Sequence, residues 1–222
     1  MNRQHVRARI EEIGIIPSVR VSSPDYARYA CEALHRHGVP IAEITMTIPG
    51  AVDVIAHVAK TLPHMVVGAG TVLDAETAGR CLDAGAKFLT SPGLIVEVVE
   101  FALQREVVVF PGALTPTEVI AAWKTGADFV KVFPCAPVGN HHYIRSLKVP
   151  FPQVRLIASG GVNQHTAASF IQAGAAALGI GNELIPREAL QRRQEEQIQE
   201  LARRFLQIVK QTREQMAARQ SS

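Results

Sequence analysis

Short apolar runs rich in β-branched residues alternate along the chain with longer stretches in which apolar residues recur at helical spacing. Eight of the short runs predict β-strands: Ile15–Arg20, Pro40–Met46, Met65–Ala69, Phe88–Thr90, Val107–Phe110, Phe129–Phe133, Val154–Ala158 and Ala176–Gly181. Seven of the longer stretches predict helices: Pro24–His37, Ala51–Thr61, Ala75–Ala84, Leu94–Gln104, Thr117–Thr125, His141–Leu147 and Gln164–Ala173. Strand and helix therefore alternate through most of the sequence.

This alternation predicts an α/β protein with parallel strands, because parallel neighbours need a crossover connection that is usually a helix. Eight βα units favour a closed (β/α)₈ barrel, a TIM barrel, formed as one domain by residues 1–222. A doubly wound open sheet is the alternative, although such sheets usually have fewer strands. Two further helices are predicted outside the repeat. Arg3–Ile13 precedes the first strand, and Arg187–Ala218, which carries an apolar stripe along one face, follows the last one.

Composition narrows the class of protein. The 222 residues are 47% hydrophobic and 19% charged, which supports a sizeable core and excludes a disordered chain. The net charge of +3 comes without a basic stripe interleaved with aromatic residues, which argues against nucleic acid as a partner. Three cysteines without metal-ligand spacing argue against a disulfide scaffold and predict a reducing compartment.

Two segments bear on targeting. The charged N-terminal stretch has no apolar signal-peptide core. Residues 156–182 carry no Asp, Glu, Lys or Arg and are long enough to suggest a membrane span. Gly160-Gly161 and Gly174 interrupt that segment and predict strand, turn, helix and strand instead. We therefore expect a cytoplasmic protein with no membrane partner.

The second predicted strand carries polar residues on one face. Alternation places Glu43, Thr45 and Thr47 on one side, with apolar residues on the other. In a barrel strand the apolar side faces the helices, so the polar side faces the interior. A buried carboxylate costs several kcal/mol unless another group compensates it. Glu43 is therefore a candidate for chemistry, and Thr45 and Thr47 are candidate substrate contacts.

The sixth predicted strand supplies a candidate partner for this carboxylate. Phe129, Lys131 and Phe133 share one face of the sequence DFVKVFP. A lysine among apolar neighbours near the carboxyl end of a barrel strand is desolvated, which favours the neutral amine, the nucleophilic form. The alternative interpretation is a structural lysine that reaches solvent at the strand end or pairs with an acidic residue.

Other predicted strand ends carry polar or glycine residues. They include Ser18 and Arg20, Thr71 after Gly68 and Gly70, the turn Ser91-Pro92-Gly93, Ser159-Gly160-Gly161, and Gly181-Asn182. The turns after the last two strands predict a phosphate cradle, because backbone N–H groups at helix starts bind anions at this position in TIM barrels. Tight βα connections are the alternative for each turn alone. No G-x-G-x-x-G follows the first strand, so a dinucleotide cofactor is not predicted.

No metal site is predicted. His35 and His37 lie two residues apart on a helix and point in different directions. His141-His142 has no nearby Cys or carboxylate cluster to complete a ligand set. Cys135 follows the sixth strand, and we interpret it as an apolar filler because no base is available to activate it.

Six motifs together resemble a known enzyme family. EITMTIP, VVGAGTV, TSPGL, FPGALTPTE, FVKVFP and SGGVN occur in the order and spacing of the class I aldolases that cleave 2-keto-3-deoxy-6-phosphogluconate (KDPG). Many members also act on 2-keto-4-hydroxyglutarate (KHG). The resemblance runs from about Ile15 to Pro186. It implies a (β/α)₈ barrel, usually a homotrimer, that uses neither a metal nor an organic cofactor.

The resemblance also implies roles for individual residues. Lys131 is similar to the Schiff-base lysine of the family, and Glu43 to the general acid/base that works partly through a water. The implied substrate contacts are Thr71 for the pyruvate carboxylate, Pro92 and Phe133 around the pyruvyl carbons, Arg20 for a carboxylate or hydroxyl, and Gly160, Gly161 and Gly181 for phosphate.

The sequence departs from the family pattern in three places. Thr47 stands where some members have Arg, Ala158-Ser159 replaces Pro-Thr before the double glycine, and Asn182 replaces the Ser after the last glycine. The last two changes lie at the phosphate end, where Ser159 and Asn182 become the candidate contacts. Neither touches the Schiff-base chemistry.

The implied reaction converts KDPG to pyruvate and D-glyceraldehyde 3-phosphate. With KHG, which is also called 4-hydroxy-2-oxoglutarate, it gives pyruvate and glyoxylate. Three alternatives stay open. The galactonate-derived epimer of KDPG could be the substrate of the same chemistry. A phosphate-binding isomerase or epimerase, or a non-catalytic barrel that binds other molecules, would leave Lys131 without a covalent role.

Overall fold

The computed structural model describes residues 1–220, which form a barrel of parallel strands surrounded by helices. Within these residues there are nine strands: β1 (Ile15–Val19), β2 (Ile41–Thr45), β3 (Val66–Gly70), β4 (Phe88–Thr90), β5 (Val108–Phe110), β6 (Gly112–Ala113), β7 (Val130–Val132), β8 (Leu156–Ser159) and β9 (Ala175–Ile180). Their order in the sheet is β5-β4-β3-β2-β1-β9-β8-β7-β6. All neighbouring pairs are parallel.

The two ends of this sheet are consecutive pieces of one strand, and this closes the barrel. β5 pairs with β4 and β6 pairs with β7, with only Pro111 between the two pieces. Proline lacks the N–H that would continue the ladder, but its carbonyl accepts a hydrogen bond from the Lys131 N–H at 2.9 Å. The eight-strand barrel is therefore confirmed, with its fifth strand divided at Pro111, and the open-sheet alternative is wrong.

The helices follow the predicted alternation. They are α1 (Arg3–Ile13), α2 (Pro24–Arg36), α3 (Ala51–Thr61), α4 (Ala75–Asp83), α5 (Val96–Gln104), α6 (Pro116–Lys124), α7 (His141–Lys148), α8 (Ala167–Gln172), α9 (Arg187–Gln191) and α10 (Glu195–Gln220), with a short 3₁₀ turn at Ala136–Val138. The predicted start of α8 at Gln164 is wrong by three residues. The side chain of Asn163 accepts hydrogen bonds from the N–H groups of His165 and Thr166, so a local turn competes with the first helical turn.

The prediction of one continuous terminal helix is also wrong, because the chain turns between α9 and α10. Arg193 has φ of 50°, and the bonds Gln194 N–H to Ala189 O and Arg193 N–H to Leu190 O form the helix-ending Schellman pattern. The Arg193 guanidinium lies 5.0 Å from the centre of the Tyr29 ring on α2. The turn therefore packs against α2.

Helix α1 lies at the amino ends of the barrel strands and leaves the carboxyl ends open. Arg3 donates to the buried carboxylate of Asp128, which in turn accepts from the Val109 N–H at 3.1 Å. The segment considered as a membrane span folds as β8, α8 and β9, as predicted. No helix within residues 1–220 is long and apolar enough to cross a bilayer.

Candidate active site

A cavity of about 1090 Å³ opens at the carboxyl ends of the barrel strands. Parallel barrels build their sites at this face, because polar residues after the strands converge there. The sequence-predicted residues on its wall are Arg20, Thr71, Pro92, Lys131, Phe133, Ser159, Gly160, Gly161, Gly181 and Asn182. The structure therefore brings most of the candidate residues into one space.

Lys131 and Glu43 meet inside the barrel. The Lys131 Nζ lies 3.6 Å from the Glu43 Oε2, and the two residues are 9% and 2% exposed. Strand alternation on β2 and β7 thus places both side chains inward, as the sequence predicts. Lys131 also lies on the cavity wall, and its Nζ is 5.8 Å from the centre of the Phe133 ring. A small molecule in the cavity can reach this amine while the carboxylate stays behind it.

Glu43 lies beneath the cavity wall rather than on it. Its Oε1 accepts a hydrogen bond from the Ser18 Oγ at 3.1 Å, and Ser18 is a cavity residue. Gly70 makes room for the carboxylate, because a Cβ there would come within 2.1 Å of Oε1. Sequence reasoning placed Ser18 and Arg20 at the end of the first strand but did not connect Ser18 with Glu43. The pairing register Ser18↔Glu43 between β1 and β2 is the signal that links them.

Arg20 joins the ends of three strands. Its Nη1 donates to the Thr47 Oγ1 and its Nη2 to the Thr71 Oγ1, each at 3.3 Å. Thr71 has φ of 61°, a left-handed conformation that is strained for a β-branched residue and is typical of functional sites. Arg20 and Thr71 therefore form a hydrogen-bonded polar group on the cavity wall.

Thr45 and Thr47 lie outside the cavity wall. Thr45 is fully buried, and its hydroxyl donates to the Val19 carbonyl at 3.1 Å. Because that bond uses its only proton, Thr45 accepts from the Thr47 hydroxyl at 2.8 Å. Thr45 thus supports Thr47, which accepts from Arg20, instead of facing a ligand.

The glycine turns after β8 and β9 form the other end of the cavity. Gly160 and Gly161 have φ of 78° and 101°, which only glycine adopts without strain. The Gly161 position also lacks space for a side chain, because a Cβ would lie 2.6 Å from the Asn140 Oδ1. The Asn182 Oδ1 accepts a hydrogen bond from the N–H of Arg187, the first residue of α9, at 3.1 Å.

Sequence reasoning missed the residues that complete this end of the cavity. Tyr26 comes from α2, Glu183 and Arg187 follow β9, and Gln197 comes from α10. Of these residues only Gln197 lies beyond the turn between α9 and α10, which brings the start of α10 to the cavity wall. That turn was not predicted, and helical periodicity alone carries no signal for it.

The histidine and cysteine candidates contact other residues of the fold. His37 contacts Glu195 at 2.9 Å, and the rings of His141 and His142 lie 4.1 Å apart. Within the described part of the chain, no three His, Cys, Asp or Glu side chains are grouped as metal ligands. Burial raises the pKa of the Cys135 thiol to about 11, and its Sγ donates to the Val132 carbonyl at 3.2 Å.

All three cysteines should be inert to thiol reagents in the folded protein. Burial raises the pKa of Cys31 to about 12 and the pKa of Cys81 and of Cys135 to about 11. At pH 8 the reactive thiolate is then roughly one part in 10³ or less of each thiol. A colorimetric thiol assay should detect no rapid reaction before denaturation and three thiols after it. Rapid labelling of Cys135 in the folded protein would contradict its interpretation as a packed apolar filler.

Known proteins match this chain over most of its length. A family model described as KDPG and KHG aldolase matches residues 6–201. The 2-dehydro-3-deoxy-phosphogluconate aldolase of Pseudomonas aeruginosa is 29% identical over 209 residues, which are 92% of this chain and 95% of that protein. The KHG/KDPG aldolase of Escherichia coli K12 is 30% identical over 189 residues, which are 85% of this chain and 89% of that protein.

A solved aldolase structure is also similar to this chain. KDPG aldolase from Legionella pneumophila, with pyruvate captured at low pH as a covalent carbinolamine intermediate, superposes with a TM-score of 0.81 at 26% identity. The match covers 88% of this chain and 96% of that one. Barrel topology, the inward Lys131 and Glu43, and sequence similarity across nearly the whole barrel lead to one conclusion. The chain belongs to the KDPG and KHG aldolase family.

Proposed function

We propose that this protein is a class I aldolase that cleaves a 2-keto-3-deoxy-4-hydroxy acid through a Schiff base on Lys131. The observation that carries the proposal is the placement of the Lys131 Nζ on the cavity wall, 3.6 Å from the buried carboxylate of Glu43. A nucleophile within reach of a proton acceptor and open to a small-molecule cavity is the arrangement that imine chemistry needs. The comparison proteins are aldolases of this chemical class.

Imine formation is the first step. Glu43 takes a proton from Lys131, and the neutral amine adds to the C2 ketone of the substrate. A proton moves from the nitrogen to the C2 oxygen, and Glu43 returns its own proton to that oxygen, which leaves as water. This gives a protonated imine and restores the Glu43 carboxylate for the next step. Arg20 and Thr71 bind the adjacent carboxylate through their side chains, and Pro92 and Phe133 pack against the pyruvyl carbons.

Carbon–carbon cleavage follows from the electron demand of this imine. The C4 hydroxyl proton moves to Glu43, directly or through a bridging group, and the C3–C4 electron pair moves toward the imine nitrogen. An aldehyde and the enamine of pyruvate result. Protonation of the enamine at C3 and hydrolysis of the imine release pyruvate and restore Lys131.

The distal end of the cavity fits a phosphorylated substrate. Backbone N–H groups of Gly160, Gly161 and Gly181 bind the phosphate, and Ser159 and Asn182 complete its surroundings. KDPG then yields pyruvate and D-glyceraldehyde 3-phosphate. The shorter 4-hydroxy-2-oxoglutarate yields pyruvate and glyoxylate with the same catalytic pair. Assembly as a homotrimer and a place in the cytoplasm stay predictions.

The decisive experiment is reduction with borohydride in the presence of pyruvate. Hydride converts the imine on Lys131 to a stable secondary amine, so we expect a mass increase of one reduced pyruvyl group that peptide mapping places on Lys131. Protein treated with borohydride alone is the control. An isomerase, an epimerase or a binding barrel would give no adduct on any lysine, and that result would reject the aldolase function.

A further inference from the structure

We propose that the Ser18 hydroxyl relays protons between the cavity and Glu43. The inference rests on the proposed aldolase function and concerns a residue outside the lysine–glutamate pair. Ser18 lines the cavity, whereas Glu43 is 2% exposed and lies behind the wall. A reacting atom in the cavity therefore meets the serine hydroxyl before it meets the carboxylate.

The geometry around Glu43 fixes which oxygen each neighbour uses. The Ser18 Oγ donates to Oε1 at 3.1 Å, while the Lys131 Nζ lies 3.6 Å from Oε2. The bare Cα of Gly70 leaves the space that Oε1 occupies. Because β1 and β2 pair with Ser18 directly beside Glu43, the serine contact is built into the barrel register. The carboxylate thus has one oxygen for the amine and one for the hydroxyl.

Lys131 cannot carry the proton that leaves the C4 hydroxyl once the imine has formed. Its nitrogen is then bonded to C2 of the substrate, and it must keep its proton if the imine is to accept the C3–C4 electron pair. A hydroxyl differs from this group because it accepts one proton while it donates another. Ser18 has its proton on the Glu43 side and its lone pairs free to accept one from the cavity side.

The relay balances in both directions. During cleavage the C4 hydroxyl gives its proton to the Ser18 Oγ, the Ser18 proton passes to the Glu43 Oε1, and the C3–C4 bond breaks with its electrons moving to the imine nitrogen. During enamine protonation Glu43 returns the proton to Ser18, and the Ser18 proton goes to C3 of the enamine. Serine and glutamate recover their starting states, so no other reactant is consumed.

Solvent exchange of the pyruvate methyl protons isolates proton transfer at C3 from carbon–carbon cleavage. Pyruvate incubated with the enzyme in deuterium oxide forms the imine on Lys131 and exchanges C3 protons through the enamine, without any aldehyde. We expect Ser18→Ala to slow exchange roughly 10- to 100-fold, the value of a hydrogen bond to a charged group, while borohydride trapping of pyruvate is unchanged. Ser18→Thr, which keeps the hydroxyl, should restore exchange, and Ser146→Ala on the exposed face of α7 should behave as wild type.

Three outcomes would overturn the relay. The first is a wild-type exchange rate in Ser18→Ala, and the second is an equal loss of pyruvate trapping and proton exchange in that variant. The third is a further loss of exchange when Ser18→Ala is added to Glu43→Gln, since a relay works only through Glu43. If Ser18→Ala folds poorly, Ser18→Cys replaces the hydroxyl with a weaker donor of similar shape and should slow exchange likewise. Failure of the wild-type enzyme to trap pyruvate would instead reject the aldolase function itself.

Discussion

Replacing Lys131 by methionine should reduce cleavage of KDPG by roughly 10⁴-fold or more, because no other group can form the imine. Such a loss corresponds to at least about 5 kcal/mol of transition-state stabilisation. Methionine keeps most of the apolar stem that Lys131 packs inside the barrel and removes only the amine. A coupled assay that detects released pyruvate measures the effect.

The matched control is Lys124→Met on the exposed surface of α6, which should cleave at the wild-type rate. Cleavage by Lys131→Met within tenfold of wild type would contradict the Schiff-base role. The free energy of unfolding separates loss of chemistry from loss of structure. Removing one member of a buried ion pair is destabilising, whereas replacing both members by neutral groups is often neutral or stabilising. Lys131→Met should therefore be less stable than the double variant Lys131→Met with Glu43→Gln.

Periodicity predicted the barrel because it reports burial, and burial determines the architecture. Continuous apolar runs required strands covered on both faces, and the few polar interruptions then identified the inward positions of Glu43 and Lys131. The same logic located the cavity, because strand ends of parallel units meet at one face. The residue roles came from the family resemblance.

Features that depend on contacts between distant segments escaped prediction. The turn at Arg193 packs against the ring of Tyr29 on α2, and the two pieces of the fifth strand pair with different neighbours, β4 and β7. Strand alternation placed Thr45 toward the interior but could not show that its hydroxyl donates a hydrogen bond to the Val19 carbonyl. Pairing register, which sequence alone did not fix, decides such contacts.

Replacing Glu43 by glutamine should lower kcat for cleavage by about 10²- to 10⁴-fold, the range that general acid–base catalysis supplies. Glutamine is nearly isosteric and still accepts from Ser18, but it cannot take the C4 hydroxyl proton. The amine of Lys131 is retained, so pyruvate should still be trapped by borohydride after long incubation. Exchange of pyruvate methyl protons with deuterium oxide should fall along with cleavage.

The control is Glu100→Gln on the exposed face of α5, which should match wild type in all three measurements. The informative quantity is the ratio of exchange to trapping, because it compares proton transfer with imine formation in one protein. A variant that loses trapping and exchange equally would show that Glu43 acts only by making Lys131 nucleophilic. A lower ratio at preserved trapping assigns proton transfer at C3 and C4 to the buried carboxylate, the step for which the barrel holds it 3.6 Å from the amine.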